Sequence, residues 1–162
     1  MPLPSTMTPI ATNTLVADVA TVTFSSLPQT YTDLILVHSN VSGTTQQLRL
    51  TINGDGGTNY STTELTGNGT SASSSRGSNE AKINIGYFGS SAVSNAIVNF
   101  NNYSNSTTYK TVLGRYGNAA GQTAVIAGLW RSTAAITSMT IAAQTGNFVT
   151  GSSFTLYGIK AA

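Results

Sequence analysis

Apolar residues in this chain come in short bursts separated by turn-forming residues, and most bursts alternate with a period of two. Val19 to Phe24 sets Val22 and Phe24 on one face before Ser25-Ser26-Leu27-Pro28 ends the run. Gln46 to Asn53 alternates cleanly, with Leu48, Leu50 and Ile52 on one side and Arg49 and Thr51 on the other. Successive side chains of an extended backbone point to opposite faces, so this pattern predicts half-buried β-strands. Tyr31 to Val41 carries the unbroken run Leu34-Ile35-Leu36-Val37, which predicts a strand covered on both faces. Further strands are predicted over Tyr60–Thr66, Ala81–Phe88 (Ile83, Ile85 and Tyr87 on one face), Val93–Tyr103, Tyr109–Tyr116, Ala124–Arg131, Ile136–Ala143 and Ser153–Lys160. No segment has a convincing helical period.

Two segments are predicted to lie outside the sheets. Pro2, Pro4 and Pro9 lack amide donors and fix φ, so residues 1–10 read as an extended N-terminal arm before a single domain over 11–162. Leu3, Met7 and Ile10 give that arm apolar anchors for docking on a neighbouring subunit; the plainer reading is a frayed terminus. Gly67 to Asn79 is almost free of apolar residues and reads as an exposed loop. Asn53-Gly54-Asp55-Gly56-Gly57 is a strong turn signal and reads as a hairpin. Nine or ten short strands with turn-rich breaks predict an all-β, antiparallel β-sandwich, with a jelly-roll arrangement favoured.

Composition changes the picture by its lack of ions. Only 7% of the 162 residues are charged, against about 25% in ordinary soluble domains. Ser, Thr and Asn replace them, as in Ser71-Ala72-Ser73-Ser74-Ser75, and keep the surface hydrated without charge. With no cysteine, disulfides and thiolate metal sites are excluded. The seven basic residues are scattered and form no patch of the kind nucleic-acid binding needs. No apolar run is long enough for a helix to cross a membrane, and Met1 to Ile10 carries no basic residue, so no secretory signal is expected there. Charge is depleted from buried interface centres. A domain poor in charge throughout therefore has few devices against lateral contact. A symmetric homo-oligomer is expected, a trimer in particular.

Candidate chemistry is sparse. Asp18, Asp33, Asp55, Glu64, Glu80 and His38 make up most of the tunable inventory, and no two acids share a short strand spacing. His38 has no Gly-x-Ser-x-Gly elbow to serve and reads as structural. Asn53 to Asn59 places oxygen ligands at alternate positions, but one carboxylate alone is too little for tight calcium binding. No catalytic residue, metal site or cofactor is expected. Several Asn-x-Ser/Thr sequons occur, as chance provides in a chain so rich in these residues. Aromatic faces among Asn and Thr can stack on sugars, which singles out Tyr60, Tyr103, Tyr109 and Tyr116 as glycan-contact candidates. The competing reading has them plug the sandwich ends or line a subunit interface. Trp130, in phase with Ile126 and Gly128, is expected in the core.

Thr23-Phe24-Ser25-Ser26-Leu27-Pro28-Gln29-Thr30-Tyr31 and the stretch onward to Leu36 resemble an opening found in small virion proteins of tailed bacteriophages, especially phages of aquatic bacteria. Ile52 to Ser61, Gly128-Leu129-Trp130-Arg131-Ser132 and the ending Gly151 to Lys160 are similar to the segments that follow there. The resemblance implies a non-enzymatic structural protein on the virion exterior, made in the host cytoplasm and released by lysis. It would contact other virion proteins. A tail-fibre or host-adhesion module touching host surface glycans is favoured, with a capsid decoration protein as the near alternative. The rivals from another class are a small glycan hydrolase, which needs two carboxylates meeting in a cleft, and a freestanding lectin.

Overall fold

The alternating segments form the middle of two antiparallel sheets packed face to face. The computed structural model describes residues 6–43, 46–89 and 93–160. Its twelve strands are β1 (Met7–Thr14), β2 (Thr21–Phe24), β3 (Asp33–Val41), β4 (Gln46–Ile52), β5 (Tyr60–Gly67), β6 (Ala72–Glu80), β7 (Ile83–Phe88), β8 (Ser94–Phe100), β9 (Lys110–Asn118), β10 (Thr123–Trp130), β11 (Met139–Ala143) and β12 (Ser153–Ile159). The larger sheet has the order β1-β12-β3-β8-β9-β10-β5-β6, and the smaller β2-β11-β4-β7. The chain crosses repeatedly between them: β2, β4, β7 and β11 lie in the smaller sheet and the strands between them in the larger. This crossing pattern is that of a jelly roll. The β8–β9–β10 meander stands where a simple jelly roll has one strand.

Leu48, Leu50 and Ile52 of β4 and Val22 and Phe24 of β2 point inward, as their alternation requires. They meet Leu34, Leu36, Val98, Phe100 and Leu156 of the larger sheet in one apolar cluster. Small residues set the closest approaches. A Cβ on Gly128 would lie 2.8 Å from Ile83 Cγ2, and one on Gly158 would lie 2.4 Å from the Tyr31 ring. A side chain at Gly128 would press the two layers apart, and one at Gly158 would displace the Tyr31 ring.

Four features differ from the sequence reading. Residues 72–80, placed in an exposed loop, form β6, paired with β5 from Tyr60↔Glu80 to Gly67↔Ala72. Nearly all of β6 is exposed, so it carries no apolar signature and rests on its backbone ladder. Its hairpin turns at Asn68-Gly69, where Gly69 takes φ +86° and Asn68 Oδ1 accepts the Thr70 and Ser71 amides at 3.0 and 2.8 Å. Met7 to Thr14, partly assigned to the arm, is the edge strand β1 of this chain's own larger sheet. Its ladder is irregular between Pro9 and Ala11, beside the proline that cannot donate. Tyr87 does not share a face with Ile83 and Ile85. A bulge opposite Leu48 and Arg49 leaves Ile85 extra and reverses the phase. Phe88 therefore points inward, and Tyr87 packs on Ala96, Tyr116, Ala124 and Ile126. Lastly, Leu34 and Leu36 are fully buried, but Ile35 and Val37 on the opposite face are only partly covered by this chain.

Candidate functional site

Polar side chains gather in two places, a closed corner and an open cleft. At the corner, Asn53 (φ 52°) and Gly54 (φ 69°) form a tight turn closed by the Asp55 amide donating to the Ile52 carbonyl at 2.9 Å. Two successive positive φ values define a type I′ turn. The strands it joins lie in different sheets, so the expected hairpin is instead a corner between layers. Asn53 fastens it: its Oδ1 accepts the Thr137 and Ser138 amides at 2.8 and 3.0 Å, and its Nδ2 donates to the Ala135 carbonyl at 2.8 Å. The Asp55 carboxylate accepts the Gly57 amide at 2.9 Å, the Asn59 side-chain amide at 2.9 Å and the Trp130 indole N–H at 2.7 Å. These donors, the indole first, hold its pKa below the usual carboxylate value. Both oxygens are thus committed to N–H groups, the chemistry of a turn and not of a cation loop.

The four tyrosines do not form one surface. Tyr60 is buried, stacks on Trp130 (centroids 6.4 Å apart) and accepts the Ile52 amide at 3.1 Å. Its hydroxyl also donates toward the Asp55 carbonyl at 3.0 Å, and burial pushes its pKa up to about 12. Tyr103 is buried and its hydroxyl donates to the Pro28 carbonyl. Tyr116 is buried too, donating to Glu64 Oε1 at 2.5 Å; burial first, and then Glu64, raises its pKa. Only Tyr109 exposes its ring, at 54%. The faces of the other three are therefore closed to a ligand in solvent. Trp130 lies in the core as its phase predicts. Near this end Lys110 is buried, its ammonium donating to the Thr108 and Thr133 carbonyls at 2.7 and 3.0 Å. Of the arm's anchors, Leu3 lies outside the described residues, Met7 is 41% exposed, and Ile10 packs against this chain's own core.

The open cleft has a volume of about 350 Å³ and lies between the overhanging β5–β6 hairpin and the edge of the smaller sheet. Thr62 and Glu64 of β5, Glu80 at the end of β6, Arg49 of β4, Asn84 of β7 and the nearby Lys82 line it. Glu64 is held by Tyr116, by Asn84 Nδ2 at 3.0 Å and by Thr66 Oγ1 at 3.2 Å. The Arg49 guanidinium is braced by Gln47 Oε1 at 3.1 and 3.3 Å. Thr62 is nine-tenths buried, and its hydroxyl has no hydrogen-bond partner among the described residues. Glu64 and Glu80 are thus brought to one cleft although they are far apart in sequence. Asp33 is elsewhere, on β3, separated from β5 by three strands and accepting the Asn102 amide at 2.6 Å. Sequence reading missed the cleft because β6, which forms one wall, carries no strand signature.

No protein-family model matches the chain, and comparison with curated proteins gives no match.

His38 is fully buried beside Phe154, and neither ring nitrogen makes a well-formed hydrogen bond among the described residues, the Ser94 backbone giving only a weak polar contact. Burial lowers its pKa to about 4, with the Ser94 backbone opposing only in part. The outer face of the larger sheet is apolar in its middle. Val37, Ile97, Val125 and Leu65 fall in one cross-strand row with Arg115, and Ile35 and Leu113 in the next. Leu65, Leu113 and Val125 are 58%, 53% and 49% exposed.

Proposed function

We propose that this protein is a non-enzymatic structural subunit on the exterior of a tailed-phage particle, most simply a tail-fibre or host-adhesion module. The observation that carries the reading is the outer face of the larger sheet. An antiparallel sheet with one face in water normally turns polar residues outward, whereas this one presents Val37, Ile97, Val125, Leu65, Ile35 and Leu113. Polar flanks included, the whole face of eight strands about 4.8 Å apart and roughly 20 Å long spans about 800 Å². That is the share one partner contributes to a standard interface. The composition argues that further copies of the chain cover it, since few charges stand in the way of self-packing. A trimer remains the expected order. The resemblance of the opening, middle and closing segments to small phage virion proteins supplies the particle. Glu64 supports a non-enzymatic role, because its oxygens are engaged by three side-chain donors and it acts as a fixed strut.

Mass spectrometry and immunogold labelling of purified particles test the location; absence of the protein from them would sink the reading. Light scattering of the isolated protein tests assembly, with a mass near three times 16.7 kDa expected. Leu113→Asp, at the exposed centre of the face, should shift that mass to the monomer while the circular dichroism is retained.

A further inference from the structure

We infer that the cleft between β5–β6 and the smaller sheet is a binding site for a carboxylate-bearing saccharide such as a chain of hexuronic acids. The inference rests on the adhesion part of the proposed function and names its ligand. The cleft joins charges of both signs that are not used up internally. Lys82, Glu80 and Arg76 make no side-chain hydrogen bond or ion pair among the described residues. Three of the chain's seven cations, Arg49, Arg76 and Lys82, border this one concavity. Glu64 is already met by Tyr116, Asn84 and Thr66, so its oxygens are occupied by neutral donors while its charge remains. Three cations against the two carboxylates Glu64 and Glu80 leave the cleft one positive charge in excess, with Glu80 as its free carboxylate acceptor for sugar hydroxyls.

The Thr62 hydroxyl points to a ligand independently. A buried hydroxyl without a partner costs stability, and this one is covered just beneath the wall of the cleft that Thr62 helps to line. The Glu80 side chain folds back over Gly77, the cross-strand neighbour of Thr62, within 2.9 Å of where a Cβ would stand. Glu80 is exposed at the end of a strand and can swing away to admit a ligand hydroxyl to Thr62. In this arrangement a uronate carboxylate meets Lys82 and the guanidinium groups through charge-assisted bonds. The ring hydroxyls meet Glu80, Asn84 and Thr62.

The test is NMR titration of the full chain with a galacturonic acid hexamer and, in parallel, with a neutral galactose hexamer. The acidic hexamer should bind, shift the amides of Thr62, Asn84 and Lys82, and weaken as salt is raised. Lys82→Gln and Arg49→Gln should each weaken it about tenfold. Thr62→Val should weaken binding severalfold while leaving the melting temperature equal or higher, a split that a purely structural hydroxyl would not give. No binding of the acidic hexamer, equal binding of the neutral one, or binding untouched by all three variants would overturn the inference. Shortening of the hexamer during titration would also overturn it, since Glu64 and Glu80 would then be at work as an enzyme. Saccharide binding by a protein missing from purified particles would leave the cleft standing and sink the virion reading. A protein present on particles but blind to the hexamer would do the reverse.

Discussion

The corner at Asn53–Trp130, a half-exposed turn laid over the buried Tyr60 and Trp130, and the fully buried pocket around His38 are both polar, yet they treat their polar atoms in opposite ways. At the corner every named group has partners: Asp55, Tyr60 and Trp130 form one linked network, and Asn53 beside it ties the turn to residues 135–138. At the second place His38 and Ser94 are fully buried and their side-chain polar atoms have no partner among the described residues. Satisfied buried networks rigidify a fold, and unsatisfied groups subtract from it. The comparison predicts that the corner is where stability is made and the His38 pocket is where it is lost under stress.

Breaking the corner should have the largest effect. Trp130→Ala removes a ring stacked on Tyr60 and strips Asp55 of its shortest hydrogen bond. The expected cost is about 3–5 kcal/mol, as for other large-to-small changes at buried aromatics. Urea unfolding followed by tyrosine fluorescence measures it. A cost below about 1 kcal/mol would mean that the network contributes little and the contrast is empty.

Acid should act next, through the other region. Unfolded, His38 takes up a proton near its ordinary 6.5; folded, it stays neutral until about pH 4. Between these values the unfolded state binds more protons, so stability falls as the pH drops and this contribution levels off below about 4. The loss across that window is about 3 kcal/mol. Asp55 behaves differently, because its lowered pKa keeps its contribution intact until the pH falls below 3.8. The pH 6.5 to 4 window therefore reports on His38 alone of these two. His38→Leu should flatten thermal melting across it, and a slope that survives the substitution would assign the loss elsewhere.

The same contrast explains which parts of the molecule could be read from residues alone. Leu48, Leu50 and Ile52 announced β4 because one face of that strand is wet and the other dry. Trp130 declared its burial by phase. The β6 strand did not announce itself, since with both faces exposed its pairing is a matter of backbone bonds that leave no mark on side-chain type. The Asn53-Gly54 turn was legible as a turn, but nothing local says that its two strands belong to different sheets. Tyr87 was placed on the wrong face because one extra residue, Ile85, reverses an alternation. The candidate cleft was least legible of all. Glu64 and Glu80 stand out as acids in a charge-poor chain, yet their meeting depends on β6, the strand without a signature.

Ser94→Ala is the smallest change and the sharpest test of the comparison. The Ser94 hydroxyl is fully buried and without a partner among the described residues, and Ala removes it with almost no loss of volume. If the group is unsatisfied, deleting it relieves a desolvation penalty and raises stability by up to about 1 kcal/mol. Ser94 also neighbours His38, whose pKa its backbone holds up in part. That backbone is retained in the variant, so the acid window of His38 should stay where it is. If the two side chains do not bond each other, combining Ser94→Ala with His38→Leu should change stability by the sum of the two single effects, with a coupling below about 0.5 kcal/mol. A loss on Ser94→Ala, or strong coupling with His38, would mean that the two side chains satisfy each other. The pocket would then be a second network like the corner, and the distinction between the two regions would fall.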